Sequence, residues 1–414
     1  MPGASVADSQ WLRTLAAAQP KAGELLGKSV QEQQGQGYFH TLREICQQPS
    51  TWLQTSDRML ARTSDLRNSL EGAKALVLTG SGSSEYAGDC VRMPLQNEVG
   101  IVTEVIAGGT LLTHGNKALS PERPQLMVSL ARSGDSPESV GALSFLVEKE
   151  PDIRHLVLTC NQKGQLAETF RDHPRVRVIE LEDSTNDRSL VMTSSFTNLV
   201  LAARFLGMLN VPERYRALCE NLSRAGSELL RRHFGTLARV GACGFRRAVY
   251  LGSGSRLGAA REAALKMLEM TAGSVATLCE SYLAFRHGPM SFAHDDTLII
   301  CFLSSDPTLR AYESDLLREV DEKELGLSKL IVGESIPLQL LRKNDVAIEY
   351  LGLAEIGDEN APIIDAVAGQ LLAFFSCLKE GLRPDSPSEN GVINRVVPSF
   401  TLHFPQDGND GQSH

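Results

Sequence analysis

The chain has 414 residues, 42% of them hydrophobic and 22% charged, and its formal net charge is −9. This length exceeds what one small core needs, so two domains are expected, and the acidic balance argues against a nucleic-acid-binding protein, which needs clustered cationic surface. No apolar run approaches the length of a membrane span and the N-terminus lacks a signal-peptide layout, so we expect a cytoplasmic protein with no membrane partner.

Two irregular segments frame the predicted domains. Residues 1–48 are polar and glutamine-rich until the stretch that begins FHTLREIC, which predicts a helical lead-in. We expect a first α/β domain over residues 49–215 and a second over residues 220–380. The tail, residues 381–414, has too many Pro, Ser and Asn for a helix, and it is predicted to wrap over a surface or reach into a site.

The first glycine-rich turn lies in ALVLTGSGSS, residues 75–84, where a buried strand runs into a helix. Such a turn presents free backbone N–H groups and the positive end of a helix dipole, and Ser83 and Ser84 add hydroxyls, so it is suited to phosphate. A plain tight turn explains the glycines equally well. The dinucleotide fingerprint fails because its last glycine position falls on Glu85.

A second polar turn follows in SLARSGDSPES, residues 129–139. Ser133 and Ser136, together with turn amides and the guanidinium of Arg132, would form a cradle for a phosphate dianion. Ordinary helix capping is the alternative, but it accounts for only one or two of these polar residues. A third hydroxyl cluster, VMTSSFTN, offers Thr193 and Ser194, which either cap the next helix or line the same cradle.

The second half of the chain repeats this pattern. Gly80 and Gly252 open similar Gly-Ser-Gly-Ser turns 172 positions apart (252 − 80), and LMVSLARSGD and LIICFLSSDP align at the same offset. Two matched pairs at one spacing suggest a duplicated unit. Strands that alternate with helices, and that are apolar almost throughout, predict two parallel sheets covered by helices on both faces, which is an α/β fold.

The helix after the second turn contains REAALKMLE, in which Glu262, Lys266 and Glu269 share one face. An exposed ion-pair ladder is one interpretation. An active face is the other, since the helix begins at the carboxyl end of a parallel strand, where open α/β sheets build their sites. Further on, FRHGP presents His287 at a turn, where it is either structural or placed for proton transfer.

The cysteines and histidines give no sign of a metal site. The eight cysteines are scattered without a C-x-x-C pair, which fits buried free thiols in a reducing compartment. No His/Cys cluster has metal-ligand spacing. We therefore expect no metal and no organic cofactor.

The motifs LARSGDSPESV, LTCNQKGQL, VMTSSFTN, GSGSRLGAAREAALKMLEMTAG, FRHGP and PDSPSENGVINRVV resemble the tagatose-6-phosphate ketose/aldose isomerase family, also described as galactosamine-6-phosphate deaminase/isomerase. The resemblance runs in order from about residue 45 to 400. The paired sugar-isomerase (SIS) domains of glucosamine-6-phosphate synthase are similar as well. The resemblance implies two tandem SIS domains, each a parallel sheet flanked by helices, and a homo-oligomer, dimer or higher, with sites near subunit contacts.

The same resemblance implies roles for individual residues. The sugar 6-phosphate would be held by the serine-rich loops, which match Ser83, Ser84, Arg132, Ser133, Ser136, Thr193 and Ser194. Glu269 matches the base that moves the C2 proton, Lys266 its neighbouring lysine, Glu262 a supporting carboxylate, and His287 the group that opens the ring. Two features depart from the synthase: the spacing from Glu269 to His287 is longer, and Arg395 stands where the synthase tail has a lysine.

The expected activity is conversion of D-galactosamine 6-phosphate to D-tagatose 6-phosphate and ammonia, with a small-molecule sugar phosphate as the only required partner. Two alternatives remain open at this stage. One is isomerisation without deamination, or deglycation of an amine-linked sugar phosphate, because the proton shuttle is shared. The other is a non-catalytic sugar-phosphate sensor, although three charges on one helix face are more than a sensor needs.

Overall fold

The computed structural model of the chain describes residues 6–388, 390–398 and 400–404. Six helices precede the first strand; four of them lie within residues 1–48, the predicted lead-in, and the other two extend to Leu70 in the segment assigned to the first domain. They are α1 Val6–Ala18, α2 Pro20–Leu26, α3 Val30–Gln36, α4 Phe39–Cys46, α5 Gln48–Leu60 and α6 Thr63–Leu70. Helix α3 starts with a capping box in which Ser29 and Glu32 satisfy each other's backbone amides.

The first sheet has five parallel strands in the order β2-β1-β3-β4-β5. Every residue of β1 and β3 is buried, as the apolar runs predict for strands covered on both faces. The strands are β1 Ala75–Gly80, β2 Val102–Ala107, β3 Gln125–Ala131, β4 Ile153–Thr159 and β5 Val176–Glu180. The accompanying helices are α7 Ser83–Val99, α8 Gly108–His114, α9 Pro137–Lys149, α10 Gln165–Phe170 and α11 Ser194–Arg204.

A 30-residue helix, α12 Pro212–Gly241, connects this sheet to the second one. The second sheet is also parallel and has the order β10-β9-β8-β6-β7, so the two sheets share one strand order. Its strands are β6 Arg247–Leu251, β7 Ala276–Glu280, β8 Thr297–Phe302, β9 Ser328–Gly333 and β10 Val346–Glu349. The remaining helices are α13 Ser255–Met270, α14 Tyr282–Phe285, α15 Pro307–Glu322, α16 Leu353–Ile356 and α17 Pro362–Lys379, and single 3-10 turns lie at Gly115–Ala118, Asp183–Thr185, Phe205–Gly207, Pro289–Phe292 and Leu338–Leu340. The predicted α/β architecture of two helix-flanked parallel sheets is confirmed.

Helix α13 is the element that brings the two halves together. A Cβ on Gly258 would lie 2.7 Å from the backbone nitrogen of Cys90 on α7, and one on Gly369 would lie 2.5 Å from Cβ of Ala263, so small residues let α13 approach both α7 and α17 closely. One hydrophobic cluster therefore runs from β1 through these helices to β6. Helix α13 thus contacts α7 of the first half from Gly258 near its start to Lys266 near its end.

One expectation about apolar segments was wrong. Helix α17 is long and apolar enough to cross a membrane by length and composition alone. Within the protein, 89% of that segment is buried, because α17 forms the centre of the helical layer against α12 and α13. The cysteines are free thiols in this structure, but only six of the eight are buried, since Cys279 is partly accessible and Cys243 is exposed.

Candidate active site

A cavity of about 390 Å³ lies at the carboxyl ends of β1 and β3, where open α/β sheets place their sites. Its walls come from four parts of the chain: the two polar turns of the first half, Leu190 and Met192 before α11, helix α13 of the second half, and the C-terminal tail. The polar residues that line it are Ser81, Ser83, Ser84, Arg132, Ser133, Ser136, Glu138, Ser139, Lys266, Glu269, Asn394 and Arg395.

The glycine-rich turn after β1 forms one wall. Gly82 has φ 57° and ψ −125°, a conformation that is strained for any residue with a side chain, and α7 begins at the next residue. Ser83 and Ser84 are therefore held in the first turn of the helix, both nearly buried. The hydroxyl of Ser83 accepts a hydrogen bond of 3.1 Å from Nζ of Lys266, which links this turn to α13.

The serine loop after β3 forms the opposite wall. Its carbonyls are turned away from the cavity, because Ser133 O accepts from Nδ2 of Asn161 at 2.8 Å and Gly134 O accepts from the amide of Leu166 at 2.9 Å. Gly134 has φ 70°, and Ser136 stands at the N-cap of α9 without a side-chain capping hydrogen bond. Loop and helix end thus present donors to the cavity, as an anion-binding site requires.

Arg132 lies beside this loop and is nearly buried. Its guanidinium donates to the carbonyl of Leu190 at 2.8 Å and to the carbonyl of Arg395, while Nε has no partner among the described residues. Burial lowers the pKa of Arg132, and the neighbouring charge of Arg395 acts in the same direction. The Arg132 side chain thus contributes positive charge to the cavity wall and links the backbone at Leu190 to the tail at Arg395.

The charged face of α13 is not a solvated ladder. The side chains of Glu262 and Lys266 are 0% and 1% exposed, and that of Glu269 is 22% exposed toward the cavity. Lys266 is paired with Glu269, and its Nζ lies 3.5 Å from Oε1 of Glu262. Neither oxygen of Glu262 has a hydrogen-bond partner among the described residues, so that contact is an ion pair only.

Burial sets the protonation of this trio. Burial raises the pKa of Glu262 to about 7, although Lys266 acts to lower it. Burial alone would lower the pKa of Lys266, but the two flanking carboxylates outweigh it and leave that pKa above its ordinary value. A lysine held cationic next to a cavity carboxylate is the arrangement that stabilises developing negative charge during proton transfer.

Two of the predicted phosphate ligands lie elsewhere. Thr193 and Ser194 are fully buried at the start of α11 and are not among the described residues that line the cavity. The carboxylate of Asp187 accepts from the amide and hydroxyl of Thr193 at 2.7 and 2.9 Å and from the amide of Ser194 at 3.0 Å. The capping interpretation is also wrong for these side chains, because Asp187 is the acceptor at the start of the helix, Thr193 makes no side-chain capping hydrogen bond, and the hydroxyl of Ser194 donates to the carbonyl of Glu44 at 2.8 Å.

His287 is also absent from the described lining of the cavity. His287 is exposed in the turn after α14. Its amide donates to the carbonyl of Ala284, and the next residue, Gly288, has φ 120°. The turn is as predicted, but the chain does not bring this histidine to its own Glu269.

Arg395 lies in the tail, whose residues Ile393 to Val397 contribute to the cavity wall. Its guanidinium donates to the carbonyl of Asp187 at 2.8 Å and to Oδ1 of Asn186 at 2.6 Å. Arg395 therefore fastens the tail to the loop that precedes α11. The tail is irregular and reaches the site, as its composition predicted.

Sequence reasoning missed two carboxylates. Asp187 organises the start of α11, but no fixed spacing signals an acceptor that lies six to eight residues before its amides. Glu138 lines the cavity with a buried Oε2 that has no partner among the described residues. Its position in SPES was visible, but acidic residues are common in the first turn of any helix. Among the described residues, no group of three or more His, Cys, Asp or Glu is arranged to hold a metal ion.

Comparison with known proteins identifies relatives over most of the chain. The D-galactosamine-6-phosphate deaminase AgaS of Shewanella sp. strain ANA-3 is 33% identical over 378 residues, 89% of this chain and 92% of that protein. A solved structure from Clostridium novyi NT, assigned provisionally to the tagatose-6-phosphate ketose/aldose isomerases, is 33% identical, covers 92% of this chain and 98% of its own, and has a TM-score of 0.86. The Escherichia coli tagatose-6-phosphate ketose/aldose isomerase is 29% identical, with a TM-score of 0.79 and coverage of 88% and 97%. No family model matches the chain.

Proposed function

The chain belongs to the family of the D-galactosamine-6-phosphate deaminases and tagatose-6-phosphate ketose/aldose isomerases, and from this premise we propose that it converts D-galactosamine 6-phosphate to D-tagatose 6-phosphate and ammonia. The single observation that supports the proposal best is the juxtaposition in one cavity of an anion cradle from the first half and a paired glutamate and lysine from the second.

The cradle would hold the sugar phosphate. The donors are Ser83 and Ser84 at the start of α7, Ser133 and Ser136 in the loop that opens α9, and the cationic side chain of Arg132. Two helix N-termini and a guanidinium favour a dianion over a neutral group. Binding energy at the phosphate would orient the distant reacting carbons.

Glu269 would be the catalytic base. In the open-chain aldehyde it would take the proton from C2 and return it to C1, while the C1 oxygen gains a proton and the 2-amino group loses one, so that a C1 hydroxymethyl group and a ketimine at C2 are formed. Water then adds to the ketimine carbon, and ammonia leaves as the carbonyl of the ketose forms. One carboxylate serves both transfers, because the two carbons are adjacent and the proton stays on one face of the sugar.

Lys266 and Glu262 would support that transfer. The ammonium of Lys266 would stabilise the negative charge that develops on the C1 oxygen. The buried carboxylate of Glu262 would hold the lysine cationic and in place, a role that fits its ion pair with Lys266. The tail, fastened by Arg395, would close the cavity against bulk water.

Ring opening would require a second copy of the chain. His287 is exposed and outside the described lining of its own cavity, so we propose a homo-oligomer, dimer or higher, in which His287 of the partner subunit completes the site.

The remaining finer expectations also stay proposals: a cytoplasmic location, a duplicated unit with domains over 49–215 and 220–380, and no requirement for nucleic acid, membrane or cofactor.

The test is the variant Glu269→Gln, which keeps the shape of the side chain and removes the base. Ammonia release from D-galactosamine 6-phosphate should fall at least about a hundredfold, the lower range of what a positioned base contributes. The control is Glu220→Gln, an exposed carboxylate on α12. Activity of Glu269→Gln within a few-fold of the control would contradict the assignment.

The closest alternative is isomerisation without deamination, because the solved structures above carry the name of ketose/aldose isomerases. Incubation with D-galactosamine 6-phosphate, D-glucosamine 6-phosphate and D-tagatose 6-phosphate separates the two. Ammonia that appears in equal amount with ketose supports deamination. Interconversion of neutral aldose and ketose phosphates without ammonia from either amino sugar would support the isomerase.

A further inference from the structure

The second half carries a turn and loop at the same places as the phosphate cradle of the first. Gly254 precedes α13 with φ 56° and ψ −127°, nearly the values of Gly82 before α7. The residue before α15, Asp306, has the φ of −64° and ψ of 125° found at Ser136 before α9. A cavity of about 300 Å³ lies at the Gly254 turn, lined by residues 253–255 and by Glu98, Asp358 and Glu359. The backbone thus has an anion-binding conformation in both halves of the chain.

In the second loop, however, the donors are already used by one carboxylate. Asp358 accepts from the amide of Ser305 at 2.9 and 3.0 Å, from the amide of Asp306 at 3.0 Å, and from the hydroxyls of Ser304 and Ser305. It also lies 3.3 Å from a guanidinium nitrogen of Arg256. Two oxygens that receive amides, hydroxyls and an arginine are bound as a phosphate would be.

Two further carboxylates accept from other donors of this region. Glu313 accepts from the amide of Ser304 at 2.7 Å and from the hydroxyl of Ser253 at 2.6 Å. The side chain of Asp306 caps α15 by accepting from the amides of Thr308 and Leu309, both at 2.9 Å.

The first half leaves the matching groups free. Ser81, which corresponds to Ser253 at the offset of 172, lines the cavity, and its buried hydroxyl has no partner among the described residues. Glu313 lies six residues after the first residue of α15, and the corresponding position of α9 is occupied by Leu143, which has no carboxylate. Ser136 makes no side-chain cap, whereas Asp306 does.

The protonation state of Asp358 agrees with this arrangement. Burial alone would raise its pKa, but hydrogen bonds from Ser304 and Ser305 and the charge of Arg256 outweigh burial and lower the pKa below its ordinary value. The carboxylate is therefore an anion at neutral pH, and replacing it would leave an electropositive loop at a helix N-terminus.

We propose that Asp358 is a built-in anion that closes the second cradle, so that each chain takes phosphate only in its first half. Removal of this carboxylate would open a second site for a phosphate dianion at residues 304–306. The inference goes beyond the proposed reaction, and it determines which of two similar half-sites can bind substrate.

The test is titration of wild type, Asp358→Gly and Asp358→Asn with inorganic phosphate by calorimetry at constant ionic strength. One phosphate per chain is expected for wild type and two for Asp358→Gly, in which the loop has room as well as free donors. Arg256 keeps its buried pairing with Asp365 at 2.7 Å, which should preserve the fold. If the glycine variant does not fold, Asp358→Asn removes the charge with little change of shape, and phosphate should then raise its melting temperature more than that of wild type.

The matched control is Glu359→Gln, which removes one negative charge from the same cavity without freeing the loop amides. It should bind one phosphate, as wild type does. A single phosphate in Asp358→Gly, no extra thermal response in a folded Asp358→Asn, two phosphates in wild type, or two in the control would each overturn the proposal. Phosphate binding and melting temperature are measured without turnover of substrate. A failure of the proposed reaction would be seen in the ammonia assay instead, so the two proposals can fail independently.

Discussion

Lys266 holds a positive charge at a helix position where the protein interior would normally place an apolar side chain. Its ammonium is surrounded by the carboxylates of Glu262 and Glu269 and the hydroxyl of Ser83. A buried charge of this kind is stable only while its partners remain, because each charge has given up water. The trio should therefore respond strongly to loss of any one member.

The variant Lys266→Met tests this coupling. It should lose activity and destabilise the protein by about 3–5 kcal/mol, the usual cost of breaking a buried ion pair. Without the lysine, the pKa of Glu262 should rise beyond its present value of about 7, because Lys266 is the influence that lowers it. A carboxyl whose pKa is higher in the folded state than in the unfolded state stabilises the folded state while it is protonated. The free energy of unfolding therefore falls as pH rises from the unfolded-state pKa of 4.5 through the folded-state pKa.

In wild type this loss is largely complete above pH 7, whereas in Lys266→Met it should continue to higher pH at up to about 1.4 kcal/mol per pH unit. Urea unfolding at several pH values measures it. The double variant Lys266→Met with Glu262→Gln should lack the slope and recover much of the stability. An equal pH dependence of single and double variants would show that Glu262 is not the titrating group.

Side chains that reach the cavity together with their neighbours along the chain could be placed there from the sequence. Ser133 and Ser136 in one turn, and Lys266 and Glu269 on one helix face, are examples. Thr193 and Ser194 could not be assigned, because capping and phosphate binding require the same hydroxyls. Asp358 gave no signal at all, since its partners lie more than fifty residues away.

At the scale of elements, the C-terminal tail is held to the first domain by apolar contacts. Leu402 packs against Gly141 of α9 so closely that a Cβ added to Gly141 would lie 2.8 Å from Cδ1 of Leu402. Phe404 stacks on Phe145 with ring centroids 5.4 Å apart and planes 6° apart. These contacts hold residues 393–397 against the cavity.

We expect Leu402→Ala with Phe404→Ala to release the tail. The Michaelis constant for the sugar phosphate should rise several-fold, because the cavity loses a wall, while the free energy of unfolding should change by no more than about 1–2 kcal/mol for two partly exposed side chains. Steady-state kinetics and urea unfolding measure the two quantities. Phe400→Ala, an exposed residue of the same tail, is the control and should leave both unchanged. A double variant with unaltered kinetics would exclude the tail from the site.

The strands and their order of appearance were predictable because a buried parallel strand is apolar throughout, and β3 and β8 are the clearest cases. Helix α17 was missed as an apolar segment because Asp365 and Gln370 interrupt it. In the structure both are buried and paired, Asp365 with Arg256 and Gln370 with Gln48. Polarity that is satisfied by distant partners cannot be recognised from local sequence.

At the scale of the whole molecule, the two sheets share one core. The same cluster of buried side chains includes Leu78 of β1, Tyr250 of β6 and Phe374 of α17. Ion pairs reinforce the junction, such as Arg261 on α13 with Asp89 on α7 at 2.6 Å. Neither half buries its apolar surface alone.

We expect one cooperative unfolding transition for both halves. Fluorescence of the buried Trp52 in α5 and far-UV circular dichroism should give coincident urea curves. The variant Gly369→Leu, which forces α17 away from α13 in the second half, should shift both curves equally. Gly35→Leu, at a helix position with open space, is the control. Separate transitions, or a folded fragment 1–215, would contradict a shared core.

The position of the tail also bears on when the protein becomes active during its synthesis. Residues 393–397 follow every described strand and helix, so they emerge from the ribosome after both sheets. A nascent chain can therefore assemble its cradle and its charged helix while the cavity still lacks a wall. The complete cavity wall therefore forms only after residues 393–397 have been made, and a chain that lacks them should bind the sugar phosphate more weakly.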